Sequence, residues 1–412
     1  MALDGSNLAT HVSNSPFFAN VSHLPKEAPR TSIDDCAIAV SCKEGSNLVV
    51  FDIDSATDFG AFGVDGFCDP YKQTWQVADD SGFKTFGRIY ATCVTFRDPN
   101  DCYPGDPHTF LVAISNTFNA KYIKEFCEFL TNGLNSMYIE TYAFVQFDMA
   151  VAQEIQYFQD FSPWFEKIEN FSYNRTLAIT DETVGSDVLN MIERFLDNTN
   201  APVCGARMTI FLSDHPNETN LDRLVESLRK NHIAPRVISW ESTVLSPNPR
   251  FQLGTIFRLC TLTNGLRQNG DPFFAFDLLN VGGGFLTYAA NPLIVGNGSI
   301  VLPSMTPPHS ASYFNVHFAL LKDLTLGPDR RQFRIVFADT ITSHYVQLNT
   351  SYDNPDGGFF PTGNYHRGLV SLSEGHVQNI TLEYAIGPEP LQPMQIRIYS
   401  NQSVNYWVPY DN

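Results

Sequence analysis

Two places in this 412-residue sequence put titratable side chains directly after a strand-like run, where they could carry chemistry. The stretch FDIDSATDF places Asp52, Asp54 and Asp58 at spacings that could hold a divalent cation. The sequence favours the alternative, a turn in which these carboxylates accept hydrogen bonds from backbone amides. At the end of MTIFLSD, Asp214 precedes His215, a pair that could transfer protons. Adjacent residues at a strand end point in diverging directions, which favours a surface turn over a proton-transfer couple.

Motifs of known enzyme classes do not occur in the sequence. It contains no nucleophile elbow, no phosphate-binding glycine loop ending in lysine and no H-E-x-x-H motif. The triple glycine Gly282–Gly284 is not followed by a helical pattern, which argues against dinucleotide binding. We therefore expect a protein that is not an enzyme and has no cofactor. Binding of Mg²⁺ or Ca²⁺ is the alternative that stays open.

The elements that position Asp214 lie in residues 109–280, where apolar runs alternate with amphipathic helical patterns. Each run is continuous in apolar character, which is typical of strands buried on both faces of a parallel sheet. The runs are Phe110–Ser115, Ala143–Asp148, Met208–Asp214 and Ile233–Ser239. The helical patterns are AKYIKEFCEFL, SDVLNMIERFL, TNLDRLVESLRKN and roughly 251–263. This alternation predicts a doubly wound, mostly parallel α/β sheet, with ligands bound at the carboxyl ends of its strands.

Changes in texture along the chain predict a multidomain protein. Residues 1–32 are polar and contain three prolines, so we expect a lead-in. Residues 33–106 read as a small, cysteine-rich and disulfide-rich β module. The α/β domain takes 107–280. From 281 to 412 apolar and polar residues alternate between Pro and Gly turns, which predicts an antiparallel β-sandwich.

The charge of the chain excludes several partners. Its 26 basic and 44 acidic residues give a net charge of −18, which repels nucleic acid and anionic lipid surfaces. The basic cluster Arg330, Arg331 and Arg334 is typical of a solvated strand edge. No apolar run is long enough to cross a membrane, so we expect neither nucleic-acid binding nor membrane insertion. The oligomeric state cannot be inferred.

The cysteines point to an oxidising compartment. None forms a C-x-x-C pair, which argues against a zinc site, and five of the eight fall between residues 36 and 102. That density is typical of disulfides in secreted proteins, with scattered buried thiols as the alternative. The disulfide candidates are Cys36, Cys42, Cys68, Cys93, Cys102, Cys127, Cys204 and Cys260.

Eight Asn-x-Ser/Thr acceptors indicate the same compartment. They are Asn20, Asn170, Asn174, Asn217, Asn297, Asn349, Asn379 and Asn401. The opening MALDGSNLATHV has neither the basic nor the apolar region of a secretory signal, so we expect that signal to lie upstream. We predict a secreted, extracellular protein, with cytoplasmic residence as the alternative.

The run PVCGARMTIFLSDHPNETNLDRLVESLRKNHIAPRVIS, together with FLVAISNTFN and TYAFVQFD, resembles a von Willebrand factor A-like domain. It is most similar to the divergent A-type domains of nematode secreted proteins. The small module before it resembles the cysteine-rich β modules of such proteins, in which cysteines flank strands around a tryptophan. The resemblance implies an extracellular binding domain.

This resemblance also implies a cation site above the sheet, built from an Asp-x-Ser-x-Ser loop, a Thr and a later Asp. By position the loop reads Ser115, Thr117 and Asn119, the Thr is Thr183, and the later Asp is Asp214. The leading carboxylate is thus a hydroxyl, so we expect a degenerate site without metal, in which Asp214 is the remaining candidate ligand. The alternative is that the short polar side chains satisfy backbone groups at a turn.

These observations predict a non-catalytic secreted glycoprotein that acts in extracellular binding or adhesion, with a protein or a glycan as its ligand. The ligand would bind at the strand-end rim, defined as Ser115, Thr117, Asn119 and Asp214. One alternative is a structural coat or matrix component. Another is carbohydrate binding by the C-terminal sandwich through stacking aromatic side chains. The candidates are Tyr345, Tyr352, Tyr365 and Trp407.

Overall fold

The structure is a computed structural model. The residues that it describes are 2–4, 7–15, 17–22, 24–43, 46–52, 55–61, 63–79, 82–95, 102–104, 106–133, 139–179, 184–239, 254–269, 284–308, 314–321, 332–342, 345–349, 365–388, 391–400, 402, 404 and 406–410. The chain divides into two compact units, Met1–Asp101 and Cys102–Asn412. No helix within the described ranges combines the length and apolar character that a membrane span requires.

Strands outnumber helices in the described residues of both units. The helices are α1 Leu8–Val12, α2 Phe18–Val21, α3 Ala120–Gly133, α4 Phe161–Glu169, α5 Val188–Leu196, α6 Asp222–Lys230 and α7 Gly254–Leu262. The strands of the first unit are β1 Lys26–Glu27, β2 Arg30–Asp34, β3 Ala37–Ser41, β4 Asn47–Phe51, β5 Ala56–Asp58, β6 Val64–Asp69, β7 Thr74–Asp79, β8 Gly82–Phe86 and β9 Tyr90–Val94.

The second unit has fifteen strands in its described residues. Six belong to one mixed sheet: β10 His108–Ser115, β11 Ile139–Phe147, β12 Gln156–Phe158, β13 Arg207–Leu212, β14 Arg236–Ser239 and β15 Leu266–Asn269. The others are β16 Phe285–Ala290, β17 Leu293–Ile294, β18 Asn297–Met305, β19 Phe314–Leu320, β20 Gln332–Asp339, β21 Tyr345–Asn349, β22 Tyr365–Val370, β23 Gln378–Ala385 and β24 Gln392–Ser400. A 3-10 turn covers Arg175–Leu177.

The first unit consists of two antiparallel sheets, with strand orders β1-β9-β4-β5 and β2-β3-β6-β7-β8. Along β3, Ile38 and Val40 are buried while their neighbours are exposed, the alternation expected of a strand with one face on the core. Both pack in one buried cluster with Leu48 and Val50 of β4. The two sheets therefore share a core.

Residues 1–32 differ from the expected lead-in. They contain α1, α2, β1 and part of β2, and Leu3, Leu8, Val12 and Val21 are buried. These side chains cover the face of β4 that carries Phe51. The apolar residues of this segment lie between prolines and polar residues in elements too short to show a helical or strand periodicity, so the sequence pattern did not predict them.

The mixed sheet has the order β12-β11-β10-β13-β14-β15. Neighbours from β11 to β15 pair in parallel, and β12 joins the edge antiparallel to β11. Every residue of β10 is buried, as expected of a central strand covered on both faces. The predicted parallel arrangement of the middle segment is thus present, within a molecule that is otherwise mostly antiparallel β.

Helices cover both faces of the mixed sheet. On one face α3 and α4 pack on alternate residues of β10, in a cluster that includes Ile123, Phe126, Trp164, Ile168, Val112 and Ile114. On the other face α5, α6 and α7 pack on the intervening residues, in a cluster that includes Ile192, Phe195, Leu228, Ile256, Leu111 and Ala113. Because successive residues of a strand point to opposite faces, the continuous apolar run of β10 serves both cores.

The C-terminal strands form two antiparallel sheets, with orders β16-β24-β19-β22 and β18-β23-β20-β21. Both contribute to one buried cluster, in which Val316 and Ile396 of the first sheet accompany Ile335 and Leu382 of the second. One face of each sheet therefore packs on a common core, as in a β-sandwich.

Arg397 of β24 joins the sandwich to the mixed sheet. Its side chain is fully buried and donates hydrogen bonds to the carbonyls of Asn264 and Gly265 at 3.0 and 2.9 Å. It also donates to the carbonyl of Ala290 at 3.1 Å and to the Asn291 amide oxygen at 2.9 Å. Buried cations need such acceptors to offset their desolvation.

Three disulfides form, Cys36–Cys68, Cys42–Cys93 and Cys102–Cys204. The second joins β9 to the residue after β3, and so links the two sheets of the first unit. Cys127 and Cys260 are free buried thiols, which corrects their assignment as disulfide candidates. Cys127 lies in the core under α3 and Cys260 in the core under α7, on opposite faces of the mixed sheet, so their sulfurs cannot meet.

Candidate recognition site at the carboxyl ends of the parallel strands

The carboxyl ends of β10, β11 and β13 meet at one edge of the mixed sheet. After β10 the chain continues into β11, which lies on one side of β10 in the sheet. The next strand of the parallel set, β13, lies on the other side of β10. Such a reversal of strand order opens a crevice above the sheet, where ligands of α/β proteins commonly bind. Thr117 and Asp214 follow the two strands at which the order reverses, and both are exposed.

Asp148 organises this edge. It follows β11 directly, is buried, and has a φ of 60°, a left-handed conformation that Asp tolerates better than most residues. Its carboxylate accepts hydrogen bonds from the Ser115 hydroxyl at 2.6 Å and the Ser186 hydroxyl at 2.7 Å. The Asp187 amide donates a third at 2.9 Å. One acid thus ties the end of β10 to the segment before α5.

Thr117 extends this set of hydrogen bonds to the surface. The hydroxyls of Thr117 and Ser115 lie 3.2 Å apart. Because Ser115 gives its proton to Asp148, the Thr117 hydroxyl is the donor in this pair. The buried carboxylate therefore fixes the orientation of an exposed hydroxyl.

The segment Gly185–Asp187 is held from two sides. Asp187 accepts a hydrogen bond from the Asp148 amide at 2.7 Å, which reciprocates the bond described above. The Ser186 amide donates to the His215 carbonyl at 3.0 Å. A Cβ at Gly185 would lie 2.6 Å from the Asn217 amide nitrogen and 2.8 Å from the His215 oxygen, so only glycine fits there. The loop after β13 is thereby connected to Asp148.

Asn116, at the end of β10, holds the loop after α4 against this edge of the sheet. Its amide oxygen accepts hydrogen bonds from the Gln146 side chain at 2.6 Å and the Asn174 amide at 2.9 Å. Its amide nitrogen donates to the Asn174 carbonyl at 3.1 Å. The buried Asn116 therefore acts as a bridge between β10 and the loop that follows α4.

Burial raises the pKa of Asp148 to about 7, and the nearby charge of Asp187 acts in the same direction. The hydrogen bonds from Ser115, Ser186 and the Asp187 amide oppose this rise in pKa. Since the net change is upward, desolvation outweighs three donated hydrogen bonds. Asp148 therefore exchanges its proton near neutral pH.

The predicted rim residues have different environments. Ser115 is fully buried, so it supports the rim through its hydroxyl contact with Thr117 and does not itself reach the surface. Asn119 is exposed, and its side chain accepts a hydrogen bond from the Lys121 amide at 3.0 Å at the start of α3. Asp214 is exposed beyond the end of β13. Thr183 lies outside the described residues.

The sequence analysis did not predict a role for Asp148, Ser186 or Asp187. Asp148 could have been found, because its apolar run ends in an acid just as the run before Asp214 does. Nothing in the sequence indicated that Ser186 reaches Asp148, since the two lie 38 residues apart. The cation-site motif of the resemblance points only to residues after β10 and β13 and to Thr183. Asp148 follows β11, so the motif could not identify it.

The donor set at this edge does not fit the divalent cation that the resemblance implies. Both carboxylate oxygens of Asp148 accept hydrogen bonds from the protein. A hard cation requires several oxygen ligands with carboxylates among them. Within the described ranges no three His, Cys, Asp or Glu side chains are grouped so that they could hold a metal.

The acidic group of the first unit binds backbone amides. Asp52 accepts hydrogen bonds from the amides of Gly87 and Arg88 at 3.1 and 3.0 Å. Asp58 accepts one from the Gly60 amide at 2.8 Å. Asp58 thus fits the local turn that the sequence favoured, whereas Asp52 binds amides 35 and 36 residues further along the chain. Asp54 lies outside the described residues.

The remaining candidates are distributed over the surface. The acceptors Asn20, Asn170, Asn217, Asn297 and Asn379 are exposed. Asn174 is half-buried and caps the 3-10 turn through a bond from the Thr176 amide. Asn349 lies in β21, without a described side chain, and Asn401 is outside the described residues.

The aromatic candidates for carbohydrate stacking do not form a described platform. Tyr345 and Tyr365 lie in β21 and β22, with side chains outside the described set, and Tyr352 is outside it entirely. Trp407 is half-buried and stacks on the His232 ring at 4.5 Å. Of the basic cluster, Arg334 is described and pairs with Glu383 at 2.8 Å.

Comparison with known proteins adds little to this geometry. Residues 290–401 match the family model of a domain of unknown function, DUF7154. No curated protein matches the chain. A proximal thread matrix protein from the mussel byssus, with a zinc-occupied MIDAS motif, is 12% identical over 48% of this chain and 50% of that one, with a TM-score of 0.29.

A second solved structure, the pilus adhesin SpaC from Lactobacillus rhamnosus GG, is 8% identical over 90% of this chain and 50% of that one. Its TM-score is 0.30. This chain spans half the length of each of the two proteins. TM-scores at this level establish no shared fold, so neither protein informs the function.

Proposed function

We propose that this chain is a secreted, non-catalytic protein that binds an extracellular protein or glycan at the strand-end rim. The supporting observation is the exposure of Thr117 and Asp214 after the carboxyl ends of the neighbouring strands β10 and β13, on a frame organised by the buried Asp148. A rigid frame lowers the entropy lost on binding, which favours recognition by a small exposed polar surface.

The proposed domain type is A-like. In support, the strand order β12-β11-β10-β13-β14-β15 corresponds, numbered along the chain within this sheet, to 3-2-1-4-5-6. Helices lie on both faces, and the edge strand β12 is antiparallel. The likeness to A-type domains of nematode secreted proteins belongs to the same proposal.

Export from the cell is supported by covalent chemistry. Three disulfides stabilise the chain, and such bonds persist in oxidising compartments. Five exposed Asn-x-Ser/Thr acceptors are compatible with glycosylation of the folded surface. Both features are typical of extracellular proteins.

Binding at the rim would rest on hydrogen bonds and shape. Thr117 offers a hydroxyl oxygen whose proton is committed to Ser115, so it accepts hydrogen bonds from a ligand. Asp214 offers a carboxylate. The acceptors of Thr117 and Asp214 favour donors on the ligand, such as sugar hydroxyls or the amide and ammonium groups of a protein.

The test is attachment to arrays of extracellular matrix proteins and of glycans. The double variant Thr117→Val/Asp214→Asn removes the acceptor hydroxyl and the charge without removing bulk. We expect it to reduce attachment by about tenfold or more, the effect of losing a hydrogen bond to a charged group.

The matched control is Thr85→Val/Asp65→Asn, two exposed residues of the first unit, which should leave attachment unchanged. Undiminished attachment of the Thr117→Val/Asp214→Asn protein would exclude the rim as the binding site.

A further inference from the structure

The strand β2, Arg30–Asp34, lies at one edge of the sheet β2-β3-β6-β7-β8 in the first unit. Among the described residues it pairs only with β3, in an antiparallel register that runs from Arg30↔Ser41 to Asp34↔Ala37. All of its residues are exposed. An uncovered edge offers main-chain hydrogen bonds to a further strand, and most proteins protect such edges against pairing.

The main-chain hydrogen bonds of β3 alternate between its two neighbours. Just before β3, the Cys36 carbonyl accepts a hydrogen bond at 2.8 Å from the amide of Cys68 in β6. In an antiparallel sheet the N–H and C=O groups of one residue point to the same neighbouring strand, and those of the next residue point to the other. Ala37 follows Cys36, so its main-chain groups bond to β2, where its partner is Asp34.

The same alternation continues along β2. Because Asp34 bonds to β3, Ser32 and Arg30 do so as well, since they lie two and four residues earlier. The N–H and C=O groups of Thr31 and Ile33 therefore point away from the sheet. Within the part of the chain that the structure describes, these groups have no main-chain partner on that side. They can pair with a new strand without breaking a bond to β3.

The charges of β2 are complementary to those of a second copy of β2. Its sequence, RTSID, has a cation at one end, an anion at the other and Ser32 in the centre. In an antiparallel pairing of two copies centred on Ser32, Arg30 of each copy lies opposite Asp34 of the other, on one face of the sheet. Thr31 of each copy lies opposite Ile33 of the other, at the positions whose N–H and C=O groups point outward. The register that matches the charges thus also matches the hydrogen bonds.

Ile33 would lose exposed apolar surface in this arrangement. It lies opposite the buried Ile38 of β3, which places it on the core-facing side of the sheet, yet it is 69% exposed at the edge. Thr31 of a second copy would lie directly opposite Ile33, and β-branched side chains suit such cross-strand positions. The pairing would thereby extend the core-facing side of the sheet across the contact.

The other edge of the sheet, β8, has a charge pattern that opposes self-pairing. Its sequence, GFKTF, carries Lys84 in the centre. An antiparallel pairing of two copies centred there would place two ammonium groups opposite each other, and like charges in that position are destabilising. Lysine is a common residue with which proteins protect an edge strand. β2 carries its charges at its two ends with opposite signs and so lacks this protection.

We propose that β2 is a self-association surface, at which two copies of this chain pair edge to edge about a two-fold axis through Ser32. The pairing forms about four main-chain hydrogen bonds and an Arg30–Asp34 ion pair at each end. Because both copies use the same residues, the contact closes at a dimer. One short strand is a small interface, so we expect a dissociation constant of about 10 µM to 1 mM. This proposal does not depend on the function proposed for the rim.

The test is sedimentation velocity of the full chain from about 1 µM to about 1 mM, a range that brackets the expected dissociation constant. Salt at about 0.15 M limits the general repulsion between chains of net charge −18. Wild type should change from monomer to dimer across this range. Arg30→Asp places like charges opposite each other at both ends of the pairing and should weaken the dimer by about tenfold or more. The swapped variant Arg30→Asp/Asp34→Arg restores opposite charges and should dimerise as wild type does.

A mixture of two single variants tests the register directly. Arg30→Asp and Asp34→Arg each place like charges together when they self-associate, so each should stay monomeric at concentrations where wild type dimerises. An equimolar mixture brings opposite charges together at both ends and should form a heterodimer. The matched control is Asp65→Arg, at an exposed position of β6 inside the same sheet, which alters the net charge equally and should leave the dimer unchanged.

A backbone variant tests the hydrogen bonds separately from the charges. Thr31→Pro removes an N–H that points away from the sheet, which an edge strand tolerates, so the fold should persist while the dimer is lost. Circular dichroism of each variant checks that the fold is retained. Wild type that stays monomeric up to about 1 mM, or a dimer that survives both Arg30→Asp and Thr31→Pro, would overturn the proposal. Failure of both the swapped variant and the mixture to associate, or growth of wild type beyond a dimer, would also overturn it.

Discussion

At the scale of single residues, Asp148 determines the state of the rim. An acid in this position costs free energy when it ionises, because burial outweighs the three hydrogen bonds that it accepts. The same carboxylate stabilises the fold through its hydrogen bonds, because they connect the end of β10 and the segment before α5 to the residue after β11. Its placement fixes Ser115, and through Ser115 the exposed Thr117.

The raised pKa of Asp148 predicts a pH-dependent contribution to stability. Between about pH 4, near the ordinary pKa of Asp, and about pH 7 the folded protein holds more protons than the unfolded chain at this site. This group therefore lowers the free energy of unfolding as pH rises through that window. Asp148→Asn abolishes the effect, so the stability of this variant relative to wild type should rise with pH by at most about 1.4 kcal/mol per unit.

Denaturant unfolding of both proteins from pH 4 to pH 8 measures this difference. His108 acts in the opposite direction over the same range, because its pKa is lowered to about 4 in the folded protein. The comparison of variant with wild type removes the contribution of His108, which is common to both. A difference that stays constant with pH would show that Asp148 is not a buried acid.

At the scale of elements, the four apolar runs predicted the strands β10, β11, β13 and β14, and the helical patterns predicted α3, α5, α6 and α7, whereas α4 was not predicted. The sequence did not predict β12 and β15, because they are three and four residues long and carry no apolar run. It also missed the packing of residues 1–32. Short elements are fixed by tertiary pairing, which local patterns do not encode.

Arg397 stabilises the contact between the mixed sheet with its helices and the sandwich. Substitution Arg397→Met removes the donor to four acceptors, which are the carbonyls of Asn264, Gly265 and Ala290 and the Asn291 amide oxygen. We expect a loss of about 2–4 kcal/mol in the free energy of unfolding. The control Arg258→Met, at an exposed position on α7, should change it by less than about 0.5 kcal/mol. Equal effects of the two substitutions in chemical denaturation would show that the Arg397 contacts do not stabilise this junction.

The disulfide Cys102–Cys204 closes a loop with a sequence separation of 102 residues that contains β10, β11, α3, α4 and α5. In the chain-entropy account, a bond across so long a loop stabilises by restricting the unfolded chain. The double variant Cys102→Ser/Cys204→Ser should therefore lose about 2–5 kcal/mol of unfolding free energy. Thermal unfolding measured by circular dichroism checks this expectation. An unchanged midpoint would contradict it.

At the scale of the whole molecule, the three disulfides and the Asn-x-Ser/Thr glycosylation sites both predict an extracellular location. When the chain is expressed through a secretory pathway, Asn20, Asn170, Asn217, Asn297 and Asn379 should carry glycans, since all five are exposed. Non-reducing peptide mapping with and without glycosidase checks both features together. Free thiols at all cysteines, with no glycan at any of the five, would contradict an extracellular location.

Sequence composition could predict the presence of disulfides, but it could not pair the cysteines. The pairing depends on which strands become neighbours, as Cys42 and Cys93 show by joining two sheets. The proximity of Arg207 and Arg236 could not be predicted either, because each looks like an isolated charge at the start of an apolar run. Only the parallel pairing of β13 and β14 brings them to the same end of the sheet.

The most direct test of the rim as the binding surface is hydrogen–deuterium exchange on the wild-type protein, with and without a ligand identified by the attachment arrays. The account predicts that bound ligand slows exchange at the amides of residues 116–119 and 213–217. Slowed exchange confined to the first unit or to the sandwich strands, with these two segments unchanged, would contradict it.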